Sequence, residues 1–402
     1  MSLSPRRPPR AAAVIAALAL TLVALTGCGS SDDSAADTSS TTGSTADNAA
    51  ATTGTVAITI TSQGCAAPES SYPAGPLTFE IENQDATAVS EFELLSGDRI
   101  LAEKENIPPG FSGSFSLQVP PGEYTLYCPG AETARSPFTV TGNAPATTAS
   151  DSQSLLAQGS RDYASYVEAQ AQLLVEAVTP LVAALKGDDL AAAQDAYKRS
   201  RAPYERIEPV AESFTIGKEN LDANIDARAG DVPASQWKGF HYIEKGLFQD
   251  KSLDGLAPYG DELLVNVKKL QALVKGLTYQ PAEIANGAVG LLDEVAKSKI
   301  TGEEERYSHN DLLDFDANVE GSEQAFAVLQ PGLDEIDPTL SKTVAAAFQD
   351  MQDKLDTYRT GSDASGFVLY GTLTDQDKTE LSQSLQAVTE PLSRVAGKVV
   401  NG

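Results

Sequence analysis

Trp237-Lys238-Gly239-Phe240-His241-Tyr242-Ile243-Glu244 puts an imidazole and a carboxylate three residues apart, inside a segment (Trp237 to Phe248) whose apolar residues recur at helical spacing. On a helix, His241 and Glu244 project from one face with Cβ atoms roughly 5–6 Å apart, so one metal ion can hold both. A lone His-x-x-Glu pair is most often a solvated helix face, so its neighbourhood decides the reading. Upstream, Glu205, Glu208 and Glu212 fall at i, i+3 and i+7, and Asp222 and Asp226 follow at i, i+4. Downstream, Glu303-Glu304-Glu305-Arg306-Tyr307-Ser308-His309 reads as an acidic helix start, where carboxylates favour the dipole.

The same helical spacing extends in both directions. Leu155 to Leu185, Ala191 to Phe214, Glu262 to Leu277, Pro281 to Ser298, Leu312 to Val328, Leu340 to Tyr358 and Asp375 to Val399 complete a helical region over 153–402, punctuated by Pro and Gly. This many segments imply two packed bundles. Before a short linker at 143–152 the period changes to two. Thr55–Thr61 alternates Val56, Ile58 and Ile60 with polar residues, and Leu77–Ile81, Glu91–Leu95, Ser112–Val119, Glu123–Tyr127 and Phe138–Thr141 repeat the pattern between Pro/Gly turns. Residues 55–142 therefore read as an all-β sandwich.

The N-terminus is processed. Arg6, Arg7 and Arg10 precede an apolar run from Ala11 to Leu25, which ends in Leu25-Thr26-Gly27-Cys28. That is a signal peptide over 1–27 followed by the cysteine a lipoprotein carries as its lipidated first residue. Residues 28–54, nearly all Ser, Thr, Ala, Gly, Asp and Asn, form a disordered tether. Removing three arginines and no acids moves the formal charge from −27 to −30 (−27 − 3). Such a surface excludes nucleic acid as a partner. The only histidines are His241 and His309, and Met351 is the only internal methionine, so carboxylates dominate the available donors and favour hard cations. His309 is either a donor that orients a site carboxylate or a packing residue.

Gly239 to Glu244, Ile207-Glu208-Pro209-Val210-Ala211-Glu212, Asn220-Leu221-Asp222 and Glu304-Glu305-Arg306-Tyr307-Ser308-His309-Asn310-Asp311-Leu312 together resemble the imelysin-like domain of EfeO-type iron-uptake components. Glu105-Asn106-Ile107-Pro108-Pro109-Gly110-Phe111, Pro121-Gly122-Glu123-Tyr124 and Cys128 resemble the cupredoxin-like domain that precedes it in the longer members. The resemblance implies a metal site of His241, Glu244, Glu208, Asp222 and Glu304, where Glu303 and Glu305 compete with Glu304 as the fourth acid. It implies a non-enzymatic protein that captures ferrous or ferric iron outside the membrane. The iron would pass to a membrane permease, with a haem peroxidase of the dye-decolourising type as a further partner. Zn and Mn suit the same donors as surrogates. The sandwich lacks the histidines and methionine of a blue-copper site. Cys65, Glu91 and Cys128 either hold copper or iron there, or the two cysteines form a disulfide. A metallopeptidase and a metal-dependent polysaccharide-binding protein are the other functions in view. The first lacks His-Glu-x-x-His.

Overall fold

A computed structural model describes residues 54–142, 150–360 and 366–402. The signal peptide, Cys28 and most of the tether and linker lie outside them.

Alternation shapes the sandwich. In β1 (Gly54–Thr61), Val56, Ile58 and Ile60 are fully buried while their neighbours face outward. The first sheet contains β1, β2 (Gly64–Ala66), β4 (Gly75–Asn83) and β7 (Ser112–Val119), in the order β2-β1-β4-β7, with β1 and β4 parallel. The second runs β3 (Ser71–Pro73), β9 (Arg135–Thr141), β8 (Gly122–Tyr127), β5 (Phe92–Ser96), β6 (Arg99–Lys104). Phe79, Phe92, Phe115 and Phe138 fill the space between the sheets with ring centroids 5.1–6.2 Å apart. The periodicity missed β2, β3 and β6. The first two are three residues long, and β6 does not alternate because its outer face meets protein instead of water.

Cys65 and Cys128 are joined in a disulfide with Cα atoms 6.0 Å apart. Of the two readings left open by the sequence, the structure carries this one. The thiolates a copper or iron site would need are engaged, and Glu91 lines the cleft described below. Closing a loop of 63 residues contributes about 4 kcal/mol in the chain-entropy account. Reduction should therefore lower the sandwich's unfolding midpoint in urea. Alkylation followed by intact-mass measurement should label neither cysteine until a reductant is added.

The helical region begins with α1 (Asp151–Leu185), whose N-cap Ser150 and N3 residue Gln153 form a capping box. It packs on α2 (Leu190–Glu205), α5 (Ala257–Val274) and the long α7 (Asp311–Ile336). Helix α7 also contacts α6 (Pro281–Lys297) and α8 (Pro338–Asp356). Helix α9 (Asp375–Leu392) packs on both α6 and α8, and α10 (Val395–Asn401) on α6. Two groups of helices thus meet along α7. Short α3 (Leu221–Asp226) and α4 (Phe240–Glu244) sit beside them. The sandwich docks on α6: Arg99 donates to the Thr278 carbonyl and to Glu283, Lys104 pairs with Asp293 at 2.8 Å, and Asn286 donates to the Ser116 carbonyl.

Two sequence expectations change here. The segment Ala191 to Phe214 is not one helix: α2 ends at Glu205, and Pro209 opens a separate 3-10 turn over Glu208–Ser213. Nor do Glu303–Glu305 start a helix. They occupy turns before α7 begins at Asp311, so Glu304 and Glu305 can both face inward although they are adjacent.

Candidate metal centre

Gly239 makes the centre possible. At φ 82° it caps α4 where a Cβ would stand 2.2 Å from the Ile225 carbonyl oxygen, so only glycine lets α4 press against α3. That approach sets His241, the second residue of α4, beside Asp226, the last of α3. The imidazole is 1% exposed. Its Nε2 has no hydrogen-bond partner and faces Asp226 Oδ1 at 3.6 Å and Glu304 Oε1 at 3.7 Å. Its Nδ1 faces Glu244 Oε2 at 3.5 Å. Glu244 is fixed from behind, its Oε1 accepting from the backbone N–H groups of Tyr307 (2.8 Å) and Ser308 (2.7 Å).

Two donors that each lie about 2.1 Å from a shared ion, at angles of about 110–120°, stand roughly 3.4–3.6 Å apart. The two Nε2–oxygen separations match this better than they match hydrogen bonds. Asp226, His241 and Glu304 form one cluster with metal-ligand spacing; His241, Glu244 and Glu305 form another, and Glu205, Glu304 and Asp314 a third. One borderline nitrogen among hard oxygens suits iron, manganese or zinc.

The five residues taken from the sequence separate into two groups. His241, Glu244 and Glu304 come together. Glu208 and Asp222 are not in any of these clusters: Lys299 Nζ holds both Glu208 oxygens at 2.7 and 2.8 Å, and the Tyr204 hydroxyl donates to Asp222. His309 is exposed, at φ 59°, with no side-chain link to the cluster. Asp226 was visible at i, i+4 from Asp222 but not singled out. Arg201, Lys299 and Asp314 escape the sequence reading, whereas Glu305, weighed there as an alternative to Glu304, joins His241 and Glu244 in a cluster. One signal for Arg201 existed, since Tyr197, Arg201 and Glu205 recur every four residues on α2 and all three are buried.

The protonation of the centre follows from its crowding. Burial opposes a charge on His241, but Asp226 outweighs it and pushes the imidazole up to about 10. Burial would raise Glu304, yet Lys299, Arg228 and His241 together hold it at about 2. Asp222 and Asp314 are each pushed up to about 7, chiefly by burial. Groups whose folded value lies above the unfolded one stabilise the fold below the unfolded value, and that support is lost as pH rises through the folded value. For His241 the window runs from 6.5 to about 10, and for the two aspartates from 3.8 to about 7. Chelator-treated protein should therefore melt several degrees lower at about pH 9 than at about pH 6. A melting temperature that is level or rises over that range would contradict these assignments.

A cleft of about 440 Å³ opens between the sandwich and the helices. Glu91, Glu103 and Glu105 line one side; Glu208, Glu212 and Asp222 line the other; Asp226 and Glu304 bring it to the cluster. Burial, then the Glu212 charge, raises the Glu103 carboxyl well above the usual range; burial, then Asp222 and Glu105, does the same to Glu212.

A strand-rich domain followed by paired helical bundles with a buried imidazole–carboxylate centre defines a class that sequence comparison recognises. The imelysin profile matches residues 159–395, and that of the cupredoxin-like domain residues 19–140. Over 348 residues the chain is 38% identical to the iron uptake system component EfeO of Escherichia coli O157:H7, covering 85% of this chain and 90% of that protein. The same figures hold for EfeO of Escherichia coli K12 and of Shigella flexneri. The chain belongs to this family of EfeO-type iron-uptake components.

Proposed function

We propose that the chain serves iron uptake by capturing ferrous or ferric iron at the His241 centre outside the cytoplasmic membrane and passing it to a membrane iron permease. The observation that carries this reading is the buried, unpartnered Nε2 of His241, aimed between Asp226 Oδ1 and Glu304 Oε1. The relatives' designation as iron uptake components supports it. Asp226, His241 and Glu304 are the ligands in this reading. Glu244 accepts the Nδ1 proton, which leaves Nε2 free for the metal. Glu208 and Asp222 line the cleft by which a cation arrives. Cys28 anchors the protein by lipid, and a haem peroxidase that works on the same iron is a further partner. No helix among the described residues is long and apolar enough to cross a membrane.

The test is anaerobic titration of the full chain with Fe²⁺, in parallel with Asp226→Asn. Wild type should take up the ion with release of the imidazole proton, and the variant should bind at least about tenfold more weakly. Undiminished binding in Asp226→Asn would remove that residue from the ligand set. Separately, Cys28→Ser should move the protein from the membrane to the soluble fraction.

A further inference from the structure

Both carboxylate oxygens nearest His241 Nε2 are already held by another cation. Asp226 Oδ1, 3.6 Å from the imidazole, also pairs with Arg201 Nη1. Glu304 Oε1, 3.7 Å from the imidazole, lies 3.2 Å from Arg201 Nη2. The guanidinium is 2% exposed; its Nη2 also lies 3.0 Å from Asp314 and 2.5 Å from Glu205, and its Nε 3.2 Å from Asp314. The Phe240 ring lies 5.1 Å from its central carbon.

We propose that Arg201 is the resident counter-cation of the metal centre, holding Asp226 and Glu304 when iron is away, sharing their oxygens when iron binds, and so setting affinity and favouring release. This rests on the reading of His241, Asp226 and Glu304 as ligands. Without a cation these buried acids would repel one another at a cost of several kcal/mol. A planar guanidinium spans two carboxylates with donors in a fixed fork, whereas an ammonium is a single point of charge with three rotatable donors. A metal at Nε2 must use the same oxygens a few ångströms from that fixed positive charge, and the repulsion grows in proportion to the ion's charge. Binding then exchanges one cation's hold for another's. On release the guanidinium recovers both contacts and no bare acids are left behind. A storage site has no need of such a residue, whereas a site that passes its ion onward does.

The test compares wild-type full chain with Arg201→Gln and Arg201→Lys by competition titration, using Zn²⁺ alone and citrate-buffered Ga³⁺ alone. Arg201→Gln should bind Zn²⁺ about tenfold more tightly and Ga³⁺ about thirtyfold, in the ratio of ionic charges. Arg201→Lys, which keeps the charge but loses the fixed fork, should show a smaller gain of about threefold for Zn²⁺ in the same order. It carries the comparison if the glutamine variant does not fold. Unchanged or weaker binding, or gains that ignore ionic charge, overturns the proposal. So does a gain that survives when His241→Ala is added to Arg201→Gln. Wild-type affinity that is indifferent to His241→Ala defeats the site reading instead and is scored separately.

Discussion

Replacing His241 with alanine is expected to weaken Fe²⁺ binding by the full chain about a hundredfold or more. The imidazole is the only nitrogen donor in the centre, and its Nε2 lies between the two carboxylates placed to share an ion with it. Removal of groups that merely orient a ligand typically costs 10–100-fold in affinity, so loss of the ligand itself should sit at or above that range. Glu244→Gln should fall inside the range, because it changes only the partner of Nδ1 and the acceptor for two backbone N–H groups. His309→Ala should change nothing, since that side chain is exposed and belongs to none of the metal-ligand clusters. Titration by a competing chelator gives all three values. Retention of wild-type affinity in His241→Ala would refute the assignment. The peptidase alternative makes an opposite forecast, metal-dependent peptide cleavage that Glu244→Ala abolishes. With Glu244 accepting two backbone N–H groups and facing Nδ1, we expect no cleavage in either protein.

The order of domains, most strands and most helices were legible because each rests on a local period. Val56, Ile58 and Ile60 alternate since one face of β1 meets the core, and the apolar stripe of α6 follows the same logic at 3.6 residues. The centre was only half legible. His241 and Glu244 are neighbours on one short helix, so spacing found them. The acids at Glu205, Glu208 and Glu212 misled, because their i, i+3, i+7 pattern assumes one continuous helix. Where α2 ends and the 3-10 turn begins, the three carboxylates go three ways: Glu205 to Arg201, Glu208 to Lys299, Glu212 to the cleft. Likewise, the choice among Glu303, Glu304 and Glu305 assumed helical geometry that the turns there do not have. Lys299 escaped because no local period announces it, and the four-residue recurrence that carries Arg201 does not by itself say that its helix face is buried. Their burial depends on acids up to 113 residues away in the chain.

Lys299→Met should produce the largest loss of stability from any single cation outside the proposed ligand contacts. The ammonium is 1% exposed, holds both Glu208 oxygens, and lies 3.4 Å from Glu304 and 3.7 Å from Glu205. Methionine fills much of the same volume, so the cavity is small and the effect isolates the charge. Breaking a buried pair by removing one partner typically costs about 3–5 kcal/mol, because the other charge is left without compensation. For helical domains of this size that corresponds to a fall of about 10 °C in melting temperature for metal-free protein. Glu205 and Glu304, which Lys299 now pulls down, would then hold their protons to higher pH, and stability lost near neutrality should return in part as pH falls toward about 5. Lys297→Met is the control: its ammonium is largely exposed and 3.9 Å from Asp293, so it should change stability by no more than about 0.5 kcal/mol. Melting both variants with chelator across that pH range decides the matter. Equal stability of Lys299→Met and wild type near neutral pH would mean that the buried acids find their compensation elsewhere, with Arg201 and Arg228 the remaining cations on Glu304.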